Sequence, residues 1–287
     1  MKMLKCFYLF LIPLFMGCVN LKLVNDYADT SIKAIEGYKA TEFSFKSFCE
    51  RECEISNLNG RIIDGFKPLE ELPKCDCKER AKADEAISKM LFGLTSYLET
   101  VQKLSNNEST SFKFDNLAIA LDKAEFVEVD TKEINAYKSL LEITSKIVFD
   151  RKRQKELQSN ISKANKPFSE LTDKLISIID NQLMAAIDAQ KRLENNDYKA
   201  LLKMSSSIHE KINIEKSYLE QINKLEGKKG RLKKYSAILK SIKDGHNKMY
   251  ESSTKLDSKY LINQLSSYYT SIKKLKTEFD NLKTEKQ

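Results

Sequence analysis

The sequence predicts an all-α fold: an elongated bundle of long antiparallel helical hairpins with a disulfide-stapled loop near the N-terminus. Three observations carry this expectation. The 287 residues include only 8 Gly and 4 Pro, too few breakers for a fold of many short strands and turns. Apolar residues recur at spacings of three and four through nearly all of the chain after residue 20, the period of one helix face. Near the end, Leu261, Leu265, Tyr268, Ile272, Leu275, Phe279 and Leu282 alternate steps of four and three without a miss, which is an a/d seam. Helices of about 30 residues are about 45 Å long and must pair lengthwise, so the seam is expected to find its neighbour within the chain.

The elements follow from breakers and caps. A first helix is expected from Leu21 to Cys53, with Val24, Tyr27, Ile35, Tyr38, Phe45 and Phe48 on its apolar side. The segment from Glu54 to Lys74 holds two Gly and two Pro and reads as a loop or small hairpin. A second helix covers Lys78 to Leu104, with Ile87, Met90, Leu91, Leu94 and Leu98 as its stripe, and a short one is expected near Asp115 to Glu125. Asp130 with Glu133 three residues on is a capping-box pattern, opening a helix that reaches about Ala164. Pro167 suits the first turn of a new helix, expected to run to Glu194. The next spans Tyr198 to Glu226, with Leu201, Ile208, Ile212, Leu219 and Ile222 on one side. The segments "NKP", "ENND" and "GKKGR" are then the connections, and the final helical region runs from Arg231 to Leu282 with a bend at Gly245 or around Ser252.

The N-terminus carries an address. An eleven-residue apolar run, Cys6 to Met16, follows Lys2 and Lys5 and stops at Gly17-Cys18. It is far shorter than the roughly 20 residues a membrane-crossing helix needs, and no A-x-A site follows. Ending on Gly17-Cys18, this stretch resembles the lipobox of bacterial lipoproteins. It departs from the usual pattern at Phe15, where an aliphatic residue is expected, with Leu14 one place early. The resemblance implies that residues 1–17 are a signal peptide, that Cys18 is alkylated with a diacylglycerol and becomes the new N-terminus, and that the protein is membrane-anchored in the bacterial cell envelope. Val19 after the cysteine implies the outer membrane if the host is Gram-negative. Residues 18–287 then form the helical-bundle domain, with a sub-boundary near 105–112.

Cysteine spacing fits an oxidising compartment. Apart from Cys6 and Cys18, the chain has Cys49, Cys53, Cys75 and Cys77, an even set that reads as two disulfides. Cys49 and Cys53 share a helix face, while Cys75 and Cys77 suit extended chain before the second helix. If the segment between them reverses the chain, the pairs are nested, Cys53 with Cys75 and Cys49 with Cys77; spacing alone leaves the crossed pairing open. Zinc is the sharper alternative for the same residues, but CxC does not suit structural zinc.

Other chemistry is thin. His209 and His246 are the only histidines, and "IHEKIN" lacks the second histidine of an HExxH site; each reads as solvated or hydrogen-bonded. The basic clusters 150–156 and 227–234 read as a solvated helix face and a surface turn. No Gly-rich phosphate loop and no GxSxG occur. Loss of Lys2 and Lys5 with the signal lowers the net charge from +8 to +6, spread over a chain that is 31% charged, which gives no reason to expect nucleic acid. The expectation is a non-enzymatic interaction or scaffold module without cofactor or metal, bound to the membrane through Cys18 and to an unknown envelope or surface protein. Ile62, Ile63 and Phe66, in the stapled loop, are its candidate contacts. The alternative is a lipid- or small-ligand-binding helical lipoprotein.

Overall fold

The computed structural model describes residues 21–63, 73–106, 127, 129–145, 153–256 and 259–284. All its regular elements are helical: α1 (Lys22–Ile35), α2 (Phe45–Ile63), α3 (Lys78–Asn106), α4 (Thr131–Ser145), α5 (Arg153–Ser177), α6 (Met184–Met204), α7 (Ile208–Glu251) and α8 (Lys259–Thr284). Short 3-10 segments follow α1 and α7, and a π-helical turn, Ile178–Leu183, joins α5 to α6 without a break. No described helix is long and apolar enough to cross a membrane. Cys18, the Asp115–Glu125 helix and most of the 105–112 boundary lie outside the described residues.

The core lies where α1, α3, α5, the second half of α7, and α8 meet, with α4 laid over α3 and α5. Tyr27, Tyr97, Phe168, Tyr235 and Phe279 are fully buried there. Two tyrosine hydroxyls set the register of α1 against α7. Tyr27 donates to the Ile242 carbonyl and Tyr235 to the Ile35 carbonyl, so the helices are antiparallel, and buried donors of this kind need such partners. Gly245 lets the two backbones approach, because a Cβ there would lie 2.5 Å from the Tyr27 ring. The α8 seam is used inside the chain. Leu261, Leu265, Ile272 and Phe279 are buried, Tyr268 and Leu275 pack at the core's edge, and α7 and α1 receive them.

The nested disulfides form as the chain reversal requires, Cys49–Cys77 and Cys53–Cys75, each with Cα atoms 5.9 Å apart. Residues 73–77 are non-helical before α3. Asp84 of α3 then caps α2 from outside, accepting the Phe45 and Lys46 amides at 3.0 and 2.9 Å. These bonds satisfy donors that every helix start leaves free.

Several expected boundaries are wrong, each for a tertiary reason. The first helix does not run to Cys53: it ends at Ile35, and a 3-10 segment, Glu36–Thr41, leads to Glu42 in the left-handed region at φ 57°. Arg231, 4% exposed, holds that break through the Glu42 carboxylate at 2.8 Å and the Thr41 carbonyl at 3.3 Å. Glu54 to Ile63 are not loop but the second half of α2. Pro167 lies inside α5. The carbonyl it frees belongs to exposed Lys163, where water can take the bond, and burial of Ala164 and Phe168 outweighs a cost of about 3 kcal/mol. "ENND" lies inside α6 and "GKKGR" inside α7. Leu225 and Leu232 in the core and the Lys229–Asp188 ion pair at 2.6 Å carry the helix past two glycines that each cost about 1 kcal/mol. The real turn is "SSS", 205–207. Ser207 Oγ accepts the Glu210 amide at 3.2 Å and Glu210 returns the bond to the Ser207 amide, a capping box that starts α7.

Candidate functional site: the distal arm and its basal cleft

Because α7 has 44 residues, it is about 66 Å long and outruns the core. The last buried residue of α6 is Glu194, and the first of α7 is Leu225. Between them the two helices form a hairpin arm that extends about 15 Å past Glu194 along α6 and about 25 Å past Leu225 along α7. Met204, Ile208, Ile212 and Leu219 are 62%, 76%, 46% and 49% exposed along it. Ile208, Ile212 and Leu219 were expected on one side of a helix, and the structure leaves that side exposed. They share one stripe of α7, but α6 meets a neighbouring side, and no third helix among the described residues covers the stripe.

The arm is stiffened from below. Tyr198 of α6 stacks on Tyr218 of α7 with ring centroids 4.3 Å apart, and its hydroxyl donates to the Glu215 carboxylate, which pushes the phenol above its usual range. Tyr218 in turn donates to Asn195 Oδ1 at 3.4 Å. The stapled helix α2 braces the base. Arg51 grips Glu194 through two bonds, Nε to Oε1 at 2.7 Å and Nη2 to Oε2 at 2.9 Å. Glu194 is 5% exposed, so this fork keeps a buried carboxylate paired. The disulfides thus act on the arm through α2.

Beside the brace lies a cleft of about 310 Å³ lined by Arg51, Glu194, Asp197, Tyr198, Leu201, Asn213, Ile214, Ser217, Tyr218 and Gln221. Burial, and then the Glu194 carboxylate, raise the Asp197 pKa. Asn213, Ser217 and Gln221 recur every fourth residue of α7, which makes one wall a row of neutral hydrogen-bonding groups.

The arm and Leu21, the first described residue, lie at opposite ends. Tyr27 sits level with Ile242, and the 34 residues of α7 from there to Ile208 measure about 50 Å; Leu21 lies farther still from the arm. Since Arg51 meets Glu194, α2 points toward the arm end. Ile62 and Ile63 stand in its last turn, their side chains outside the description, and Phe66 lies outside the described residues.

The two histidines divide as their positions dictate. His209 is exposed on the arm. His246 is completely buried, stacked on Phe168 at 4.4 Å, with Nδ1 donating to Asn165 Oδ1 at 3.1 Å and Nε2 accepting the Tyr97 hydroxyl at 2.8 Å. Burial lowers its pKa to about 3, so it stays neutral. The four candidate zinc ligands are the disulfide cysteines, and no group of three or more His, Cys, Asp or Glu among the described residues could hold a metal. Arg51, Glu194 and Met204 were not anticipated from sequence; the "SIHE" capping box was the available signal for the turn that makes the arm. No protein-family model, curated protein or solved structure matches the chain.

Proposed function

We propose that the chain is a lipid-tethered, non-enzymatic interaction protein, held to an envelope membrane through Cys18 and presenting its distal arm to a protein partner. One observation carries this reading: the arm leaves Met204, Ile208, Ile212 and Leu219 exposed on a rigid two-helix support remote from α1. A contiguous apolar face beyond the core is a feature of contact surfaces. The paired cysteines suit an extracytoplasmic address, and α1 starts shortly after the lipobox-like stretch. The segment carrying Ile62, Ile63 and Phe66 belongs to the same proposal as a second part of the contact, because α2 points toward that end.

A photo-crosslinking residue placed at Ile212 in cells of the native host tests the reading. The expected result is a discrete protein adduct at Ile212 that is absent from Tyr260, which is 64% exposed on α8. No adduct, or the same adducts at both positions, would reject it. The anchor is checked separately: Cys18→Ser loses incorporation of labelled fatty acid, and equal labelling of variant and wild type contradicts the tether.

A small-ligand role has one specific support, the basal cleft. Its lining combines apolar surface from Tyr198, Leu201, Ile214 and Tyr218 with the Glu194 and Asp197 carboxylates, which suits a small amphipathic molecule. Mass spectrometry of solvent extracts from the purified protein decides this reading, with one co-purifying compound expected and none contradicting it.

A further inference from the structure

We propose that Cys53–Cys75 is a site of thiol–disulfide exchange, which a dithiol reductant opens ahead of Cys49–Cys77 to free the second half of α2 while the body stays folded. The two bonds close the same chain reversal but differ in their surroundings. Cys75 is exposed on the non-helical stretch 73–77, and Cys53 is half-buried on α2. Cys77 is only 7% exposed, and its carbonyl accepts the Ala81 amide at 2.9 Å where α3 starts. Access to sulfur governs which disulfide a thiolate attacks, and exposed bonds are the labile ones.

The exchange balances between the bond and its reductant. A thiolate attacks Cys75 Sγ, the S–S bond breaks, and its electron pair leaves with Cys53 Sγ, where the Asn57 side-chain amide stands as a donor at 3.6 Å. The second thiolate of the reductant then displaces Cys75 from the mixed disulfide. After protonation the protein holds two thiols, and the reductant has become a disulfide.

The bond holds the part of α2 that the core does not. Before Cys53 the helix is anchored: Phe45 and Phe48 lie in the main core, Asp84 accepts the first amides, and Arg51 grips Glu194. After Cys53, Ile55 alone is buried among the described side chains of α2, and it packs apart from that core. Asn57 donates to the Pro73 carbonyl at 3.1 Å in an exposed bond, and Asn59 donates to the Asp197 carboxylate. Segments with few buried contacts open locally at small free energy. Opening Cys53–Cys75 therefore releases residues 54–63 from α6, while Cys49–Cys77 retains the Arg51 brace. The exchange needs no partner on the arm.

The full-length chain in nonionic detergent is treated with limiting dithiothreitol, then quenched with acid, alkylated and mapped by peptide mass spectrometry. Cys53 and Cys75 should be labelled about tenfold faster than Cys49 and Cys77. Glutathione, a monothiol, should leave its mixed disulfide on Cys75. In the half-reduced chain, amide exchange should rise across residues 54–61 and stay unchanged in residues 45–51 and in α3. The double variant Cys53→Ser, Cys75→Ser should keep its circular dichroism, show the same exchange pattern, and retain Cys49–Cys77 at the same dose of dithiothreitol. Equal rates for the two bonds, Cys49–Cys77 opening first, an adduct mainly on Cys53, unchanged protection after reduction, or loss of protection through all of α2 would overturn the proposal. So would failure of the double variant to fold, which makes the bond a structural staple only.

Discussion

The two ends of α7 are alike in apolar content and opposite in fate. From Leu225 to Met249, Leu232, Tyr235, Ile238, Leu239, Ile242 and Met249 are buried against other helices. From Ile208 to Lys224 the apolar stripe is interrupted at Glu215 and Lys216, and no residue is buried among the described residues. Periodicity reports that a helix has an apolar face; it does not report whether anything covers that face. What covers the second half is the return of α1 and α8, whose lengths place their ends near Arg231 rather than near Ile208: Ile35 meets Tyr235 and Leu282 meets Arg231.

Truncation at matched positions breaks or sharpens that contrast. Ile242→Ala removes a fully buried side chain and should cost about 2–5 kcal/mol, read as a drop in denaturation midpoint. A loss below about 0.5 kcal/mol would mean the body core is not as packed as described. Next in size is the staple. Reducing both disulfides removes constraints worth about 3 kcal/mol on α2. Protection against hydrogen exchange should fall first in α2 and at the arm base, before α3 and α5; simultaneous loss everywhere would show that α2 does not act as a separable brace.

Arg51→Ala leaves Glu194 buried and unpaired. Arg51 is itself 29% exposed, so the expected cost is about 2 kcal/mol rather than the full value for a buried pair, and Glu194→Gln in the same background should recover part of it. Stability should also depend on pH through His246. Its folded pKa of about 3 lies below the unfolded value near 6.5, so the unfolded chain takes up the proton first. Stability is unaffected by this group above pH 6.5 and falls as pH drops, by about 1.4 kcal/mol per unit, or about 2 kcal/mol at pH 5. Asp84, Glu99 and Asp197, raised by burial, act in the opposite sense but over the carboxylate range. The interval from pH 6.5 to 5 therefore isolates the histidine. His246→Gln should flatten it, and an unchanged slope would contradict the assignment.

How much was legible in the sequence follows from which forces are local. The helical class, the α8 seam, the pairing of four cysteines into two disulfides and the Asp130 start of α4 depend on period, spacing and caps, and the structure contains all four; that the disulfides are nested rather than crossed came from the fold. The interior breaks depend on none of these. Pro167, "ENND" and "GKKGR" are local breakers overridden by Phe168 in the core, by Arg51 reaching Glu194 from 143 residues away and by Arg231 reaching Glu42 from 189 residues away. Those partners have no trace in the neighbouring sequence. The turn at 205–207 did have one, the Ser207 and Glu210 capping box, but three serines carry no Gly or Pro to mark a break. Misplacing that turn put Leu201 on one helix with Ile208, Ile212 and Leu219, which hid the hairpin that makes the candidate site.

The smallest expected effect belongs to the arm: Ile212→Ala should change stability by no more than about 0.5 kcal/mol, against the large loss at Ile242. A loss above 2 kcal/mol would mean that the stripe is covered in solution.

Amide hydrogen exchange along α7 of the full-length chain tests the central contrast most directly. Amides from Lys211 to Lys224 should exchange through local opening at free energies well below those of global unfolding, while amides from Leu232 to Met249 should exchange only with the whole body. Uniform protection from one end of α7 to the other would contradict the account, since it would require the arm to be packed as firmly as the core.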